Sequence, residues 1–318
     1  MEYHESVLRK EVIELINPQL GENFIDCTMG DAGHTIDILK KVKPNGRVFA
    51  FELDKKAISK ARKRLKEEGF LKNVEIINDN FRNLKKYKDK FISLEKSNKG
   101  EVKIDGILAD LGLRSSQLEE EGGGFSFQHD EPLDMRFGDY GISAKDIVNT
   151  YTGEELSDIF REFGEEKNHR FIGREIVEAR KQKPIETTGE LSEIILQYYR
   201  KKFKTTKEIP WIGGIHPATR VFQALRIEAN DELGALKQLL EDGVDILSPG
   251  GRIGIMSYHS LEDRIVKRFY RTSPQNLVII TKKPIVPDEK EILQNKKSRS
   301  AKFRVAQKID TPQEISSR

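Results

Sequence analysis

The chain has 318 residues, 36% of them apolar and 34% charged, with a formal net charge of +3. This length suffices for one large α/β domain or for two domains around a sizeable core. No apolar run approaches the ~18 residues of a membrane span, the opening MEYHESVLRK lacks the apolar stretch of a secretory signal, and a single cysteine, Cys27, excludes an internal disulfide and points to a cytoplasmic protein.

Val7, Leu8, Val12 and Leu15 recur at helical spacing and predict an opening amphipathic helix. Asn23–Thr28 reads as a buried strand, Met29–Gly33 as a turn and His34–Val42 as a helix stopped by Pro44, Asn45 and Gly46. Arg47–Glu52 is a second strand, Lys55–Glu68 a helix, Val74–Asn78 a third strand and Ile104–Asp110 a fourth. Strands alternating with helices imply a parallel sheet covered on both faces. Ligands of such sheets lie beyond the carboxyl ends of the strands. Asp26–Gly33, Glu52, the Asp79–Phe81 turn and Asp110–Gly112 should therefore converge.

From Arg114 to Ile215 the pattern changes to a glycine run, Gly122–Gly124, and amphipathic helices at Glu154–Glu162, Phe171–Lys181 and Thr188–Lys202. Ala218–Leu247 predicts one or two long helices, Ser248–Gly251 a turn, Arg252–Tyr258 a fifth strand and Leu261–Tyr270 a helix. Leu277–Thr281 and Phe303–Ala306 are final strands, separated by a polar, charge-rich loop at Lys283–Ala301. The domain boundaries follow: 1–113 and 216–318 form one α/β domain, and 114–215 is an inserted helical domain that recognises the substrate.

The turn after the first strand suits an adenosine-containing cofactor, because glycines let the backbone approach a ligand closely. Glu52, ending the second strand, can accept both hydroxyls of a ribose. A dinucleotide site would require G-x-G-x-x-G. Here only Gly30 and Gly33 are present, and Asp31 would repel a pyrophosphate. A cationic sulfonium turns Asp26 and Asp31 into assets, which favours S-adenosylmethionine over a nicotinamide dinucleotide. Phe81 either packs on the adenine or is a core aromatic. Asp110, after the fourth strand, binds the cofactor's methionine end, accepts an N–H from the substrate, or caps backbone amides.

Several ordered blocks carry a family resemblance. They include Asp26–Thr28 and Gly33–Thr35, Asp105–Gly112, Ser115–Leu118, Gly124–Phe127 and Pro132–Arg136. Further on come Phe163–Glu166, His216–Ile227, Ser257–Lys267, Ser298–Ser300 and Arg304–Ala306. Together they resemble the bacterial RsmH family, also called MraW, of small-subunit (16S) ribosomal RNA cytidine-N4 methyltransferases. The resemblance runs nearly end to end. It implies a class I, Rossmann-like S-adenosylmethionine-dependent methyltransferase sheet with an inserted helical domain, acting on a cytidine of the decoding region within the small ribosomal subunit. By position it puts cofactor contacts on Ala32, Gly33, His34, Glu52, Phe81, Asp110 and Gln117. Ala32 replaces a usual glycine and Glu52 a usual aspartate, while Arg114 and Gly123 depart from the pattern near the substrate.

The six histidines are scattered, and no metal-ligand spacing occurs. A pyrimidine carbon acceptor would need a cysteine nucleophile, and Cys27 lies in the cofactor strand, so a nitrogen acceptor is favoured. Asp110 is the candidate to take the N4 hydrogens. Tyr258 and His259 are candidates to stack on or hydrogen-bond the base, with helix capping or core packing as the other reading of His259. Tyr198, Tyr199, Phe203 and Trp211 interleave with the basic cluster Arg200, Lys201, Lys202, Lys204 and Lys207 and suggest an RNA-facing surface, with ordinary helix packing as the other reading and the favoured one for Tyr198 and Tyr199. Lys296, Lys297, Arg299, Lys302 and Arg304 form a second basic cluster, and the Ser298–Arg304 tail is another candidate contact. A DNA amino-methyltransferase normally shows an Asp/Asn/Ser-Pro-Pro-Tyr/Phe motif, whereas Asp110 is followed by Leu111-Gly112. A non-catalytic RNA-binding assembly protein is disfavoured by intact Glu52 and Asp110. Nothing in the residues sets the oligomeric state.

Overall fold

Seven strands form one sheet in the order β3-β2-β1-β4-β5-β7-β6. They are β1 (Asn23–Asp26), β2 (Arg47–Phe51), β3 (Val74–Ile77), β4 (Ile104–Asp110), β5 (Leu247–Ser257), β6 (Leu277–Ile279) and β7 (Lys302–Lys308). The computed structural model describes residues 6–94, 103–113, 122–138, 141–209, 211–212, 214–273 and 277–310. The first five strands pair in parallel, and β7 runs antiparallel to both β5 and β6.

Burial explains the composition of these strands. A parallel sheet has both faces covered, so its strands read as continuous apolar runs. Alternate residues then serve opposite cores. Ile25, Phe49, Ile107 and Ile253 enter one core, and Phe24, Val48, Leu108 and Met256 enter the other. The second face is covered by α1 (Arg9–Ile16), α2 (Gly33–Val42) and α3 (Lys55–Glu67), through Val12, Ile16, Leu39 and Leu65. The first is covered by Phe91 of α4 (Lys88–Leu94) and by two later helices described below.

Two expectations need correction. Ser248–Gly251 is not a turn outside the sheet but an irregularity within β5. Pairing with β4 jumps from Ile104↔Leu247 to Gly106↔Arg252, and Gly250 at φ +82° permits the detour. The charge-rich stretch 283–301 is not simply a loop, because it holds α12 (Glu289–Gln294) and a 3₁₀ turn at Lys296–Ser300. Asp288 caps that helix by accepting from Glu291 N at 2.7 Å, and the Glu291 carboxylate accepts from Leu8 N at 2.7 Å.

The chain divides into two units, residues 1–112 with 233–318, and residues 113–232. The second is helical: α5 (Ala144–Thr150), α6 (Gly153–Glu162), α7 (His169–Arg180), α8 (Thr188–Phe203) and α9 (Thr219–Asn230). Capping boxes start three of these helices, Ser143 with Asp146, Thr152 with Glu155 and Thr187 with Glu190. The helical unit runs past Ile215, because Val221, Phe222, Ala224 and Leu225 of α9 bury their side chains in its core. Asp231, at φ +46°, breaks α9 from α10 (Glu232–Ile246), which returns Leu236, Leu239 and Leu240 to the sheet. The strand β5 is followed by α11 (Ser260–Thr272), which packs Val266 and Tyr270 on the same face. No described helix is long and apolar enough to cross a membrane.

Candidate cofactor and acceptor site

The strand order reverses between β1 and β4, and the crevice at such a switch point is where open α/β sheets bind ligands. Asp26 ends β1 there, 1% exposed. Its carboxylate accepts from Thr35 Oγ1 at 2.6 Å and from Thr28 N at 3.1 Å. Burial pushes it up to about 6 despite those bonds, and Glu52 adds to the rise. Thr28 also ties the two strands together, since its Oγ1 accepts from Asp110 N at 2.7 Å.

The turn then enters α2 through Ala32, a fully buried residue at φ +64° that N-caps the helix. At Gly33 a Cβ would lie 2.1 Å from Ser6 Oγ, so a larger residue would have to displace that side chain. His34 is 6% exposed, and neither ring nitrogen has a hydrogen-bond partner. Its Nε2 lies 3.7 Å from Asp110 Oδ2. Burial pulls its imidazole down to about 4, with Asp37 opposing and Arg9 reinforcing, so the ring is neutral at pH 7.

Asp31 corrects the sequence reading. Its carboxylate is held by Lys60 Nζ at 2.7 Å, and Arg64 Nη1 donates to its carbonyl at 2.9 Å. Its charge is answered by α3, so Asp26 and Asp110 remain as the acidic groups beside β1 and β4.

Glu52 follows β2. Oε2 accepts from Gly30 N at 3.0 Å and Oε1 from Asp54 N at 2.9 Å, which fixes the carboxylate and leaves each oxygen a further lone pair. Asn78 Nδ2 donates to the carbonyls of Glu52 and Leu53, both at 2.9 Å. Phe81, half-buried, opens a 3₁₀ helix, Phe81–Tyr87, capped by Asn80. Asp79 anchors that turn by accepting from Tyr87 Oη at 2.8 Å and Asn83 Nδ2 at 2.9 Å. Phe81 packs against the core below it, so part of the ring serves the fold.

Asp110 ends β4, and Tyr258 Oη donates to its Oδ1 at 2.7 Å. Burial, foremost, raises Asp110 to about 7; the Tyr258 bond works against the rise, while Asp26 and Glu262 add to it. Its side chain keeps 23% exposure, enough for a ligand to reach it. Burial and the neighbouring carboxylate push Tyr258 well above the ordinary phenol value, so it stays a proton donor.

His259 has the capping role. Its Nδ1 accepts from Glu262 N at 3.4 Å, completing a capping box at the start of α11. Glu262, 2% exposed, was not singled out by the sequence. Its Oε2 accepts from both Tyr258 N at 2.8 Å and His259 N at 3.2 Å. A glutamate three residues after a cap was the available signal. Gln117, with Arg114, lies outside the described residues.

A model of the MraW methylase family matches residues 1–309. The chain belongs to the MraW methylase family. Curated relatives agree: "Ribosomal RNA small subunit methyltransferase H" of Clostridioides difficile is 45% identical, covering 97% of this chain and 100% of that protein. The proteins of the same description from Deinococcus deserti, 43% identical over 96% and 93%, and from Finegoldia magna, 40% identical over 96% and 98%, are also similar. The chain is thus a methyltransferase, and S-adenosylmethionine is the methyl donor.

In this MraW methylase part of the second basic cluster is taken up by the fold. Arg304 is buried and paired with Asp263 at 2.6 Å, with Lys302 3.9 Å from the same carboxylate, so these two cations brace β7 against α11. Tyr198 and Tyr199 are buried at 9% and 4%, whereas Phe203 and Trp211 are exposed at 49% and 69%. The tyrosines were drawn inward by helical spacing, since they share a face of α8 with Leu191 and Ile195.

Proposed function

We propose that the chain methylates N4 of a cytidine in the decoding region of small-subunit ribosomal RNA, in the cytoplasm. The observation that carries this reading is the Tyr258–Asp110 hydrogen bond, set at the end of β4 beside the unpartnered His34 ring. A hydrogen-bonding carboxylate of tuned basicity is what an amide-like amine needs when it gives up a proton.

The site's donor set fits S-adenosylmethionine. The buried Asp26 carboxylate, the partly buried Asp110 carboxylate and a neutral imidazole favour a cation, and Glu52 has lone pairs for two ribose hydroxyls. Phe81 would lie against the adenine, and the Ala32–His34 turn would line the amino-acid end. When bound, the cofactor supplies an electrophilic methyl group.

The chain's own part is to position and to move a proton. As the new N4–carbon bond forms, the sulfur–methyl bond breaks and N4 must lose one hydrogen. Asp110 accepts the N4 hydrogens, localises the nitrogen lone pair and takes the proton, which then leaves to solvent. A base with a pKa near the working pH is well matched to this step. Tyr258 holds the carboxylate in place by donating to the other oxygen, and Glu262 holds Tyr258 by its backbone. Alignment of the reactants supplies much of the acceleration. The helical unit recognises RNA, and unstacking the target base is cheapest in a single-stranded segment.

A carbon acceptor is disfavoured. Cys27 is the chain's one cysteine, 2% exposed, and burial pushes its thiol well above the ordinary value, with Asp26 adding to the rise. The test is transfer of tritiated methyl to small subunits, free ribosomal RNA and DNA, followed by nucleoside analysis. N4-methylcytidine in ribosomal RNA supports the proposal. Label confined to DNA, or on carbon, overturns it.

A further inference from the structure

Helices α7 and α8 carry a row of aromatic rings that the methyl-transfer chemistry does not use. Phe171 stacks on Tyr198 with centroids 6.0 Å apart and planes 13° apart. Tyr198 meets Tyr199 edge-on at 5.1 Å, and Tyr199 stacks on Phe203 at 5.9 Å and 28°. The inner pair is locked by Asn168, which accepts from Tyr198 Oη and donates to Tyr199 Oη, both at 3.0 Å. The outer pair faces solvent, Phe171 at 57% exposure and Phe203 at 49%. The two phenyl rings are the exposed ends of one contiguous aromatic row, which offers flat apolar faces to a ligand.

Exposed cations flank the row. Lys167, Arg170 and Arg174 are exposed at and along α7, and Lys202 and Lys204 at the end of α8. Among the described residues none of the five pairs with a carboxylate. Of the nearby acids, Glu175 is engaged by Lys201 and Glu193 by Arg200, each at 2.6 Å, and buried Glu166 accepts from Tyr199 Oη at 3.2 Å. On the next face of α8 a shallow groove is lined by Gln197, Arg200, Lys201, Lys204, Thr205 and Thr206.

We infer that this α7–α8 face is a docking platform for a single-stranded RNA segment, with bases on Phe171 and Phe203 and phosphates along Lys202, Lys204 and the groove. Every base offers a π face, so stacking of this kind tolerates sequence while the cations track the backbone. Duplex RNA hides those faces. The inference rests on the ribosomal RNA reading and adds where the substrate strand is held.

The test uses the full chain in two variants, Phe171→Ala with Phe203→Ala, and Lys202→Glu with Lys204→Glu. KM and kcat for methylation of small subunits are measured over a range of salt, with cofactor affinity by calorimetry. Both variants should raise KM about tenfold with cofactor affinity unchanged, as stacking and phosphate contacts of this size imply. The lysine variant should also flatten the salt dependence of KM, which a merely structural defect would not do. Unchanged KM and salt slope in both variants overturn the platform while leaving the ribosomal reading intact. A wild-type chain that labels no ribosomal RNA overturns both. Loss of binding to anionic lipid vesicles with KM unchanged assigns the face to a membrane instead and likewise overturns the proposal.

Discussion

Tyr258 Oη donates to Asp110 Oδ1 at 2.7 Å, joining the carboxyl ends of β4 and β5 through two side chains rather than through the sheet. The bond lowers the affinity of Asp110 for its proton in a setting where burial raises it. Tyr258→Phe removes the donor and nothing else of that size. Asp110 should then hold its proton to higher pH. Since the ionised form accepts the N4 hydrogen, the acid limb of the kcat profile moves upward in pH, and kcat at pH 7 falls about tenfold or more. A pH–rate profile with an unmoved acid limb would count against Asp110 as the proton acceptor.

Asp110→Asn separates stability from activity. The folded-state pKa of Asp110, about 7, lies above the ordinary 3.8. A carboxyl with a raised folded pKa makes the folded state bind more protons than the unfolded one between those values. Its contribution therefore costs stability progressively as pH climbs from about 4 to about 7, and the cost stays level above that. The asparagine, which cannot ionise, escapes it. Thermal unfolding should show the variant more stable than the wild type at pH 8, with the gap closing toward pH 4. Methyl transfer should be lost at every pH. A variant less stable than the wild type at pH 8 would contradict the burial account.

Glu52→Gln keeps the length of the side chain, but its amide nitrogen cannot accept from Gly30 N or from a ribose hydroxyl. Cofactor affinity by calorimetry should weaken at least tenfold, and Glu52→Ala should weaken it further because Gly30 and Asp54 both lose their acceptor. Unchanged affinity in the alanine variant would sink the ribose assignment.

Ala32→Gly tests the loop. Ala32 sits at φ +64°, where a Cβ costs about 1 kcal/mol that glycine avoids. The variant should melt at a higher temperature with cofactor affinity little changed. A lower melting temperature would mean that the buried methyl group matters more than the backbone strain.

The parallel strands were legible because burial on both faces leaves uninterrupted apolar runs, and β4 was read to the residue at Ile104–Asp110. Glu52 and Asp110 were legible for the same reason, as carboxylates ending such runs. Other features depended on contacts that no local pattern encodes. Asp31 looked free until Lys60, a full helix away, came to meet it. His259 was open to two readings, base contact or helix cap, and the cap is a contact that its own helix makes. The helix Glu289–Gln294 has no buried side chain, so it shows no apolar period to detect. Tyr198 and Tyr199 were legible as packing residues because they share a face of their helix with Leu191 and Ile195, and both lie in that core.

The carboxylates Asp26 and Asp110 also bear on turnover. Methyl transfer converts a sulfonium into an uncharged thioether, so the pocket loses its countercharge in the same event that completes the reaction. At alkaline pH the spent cofactor then faces two uncompensated negative groups, and at acidic pH it faces neutral ones. Inhibition by the thioether product, measured relative to the affinity for the sulfonium, should weaken as pH rises from 6 to 8. A ratio that stays flat over that range would show that the enzyme tells its two cofactor forms apart by some other means.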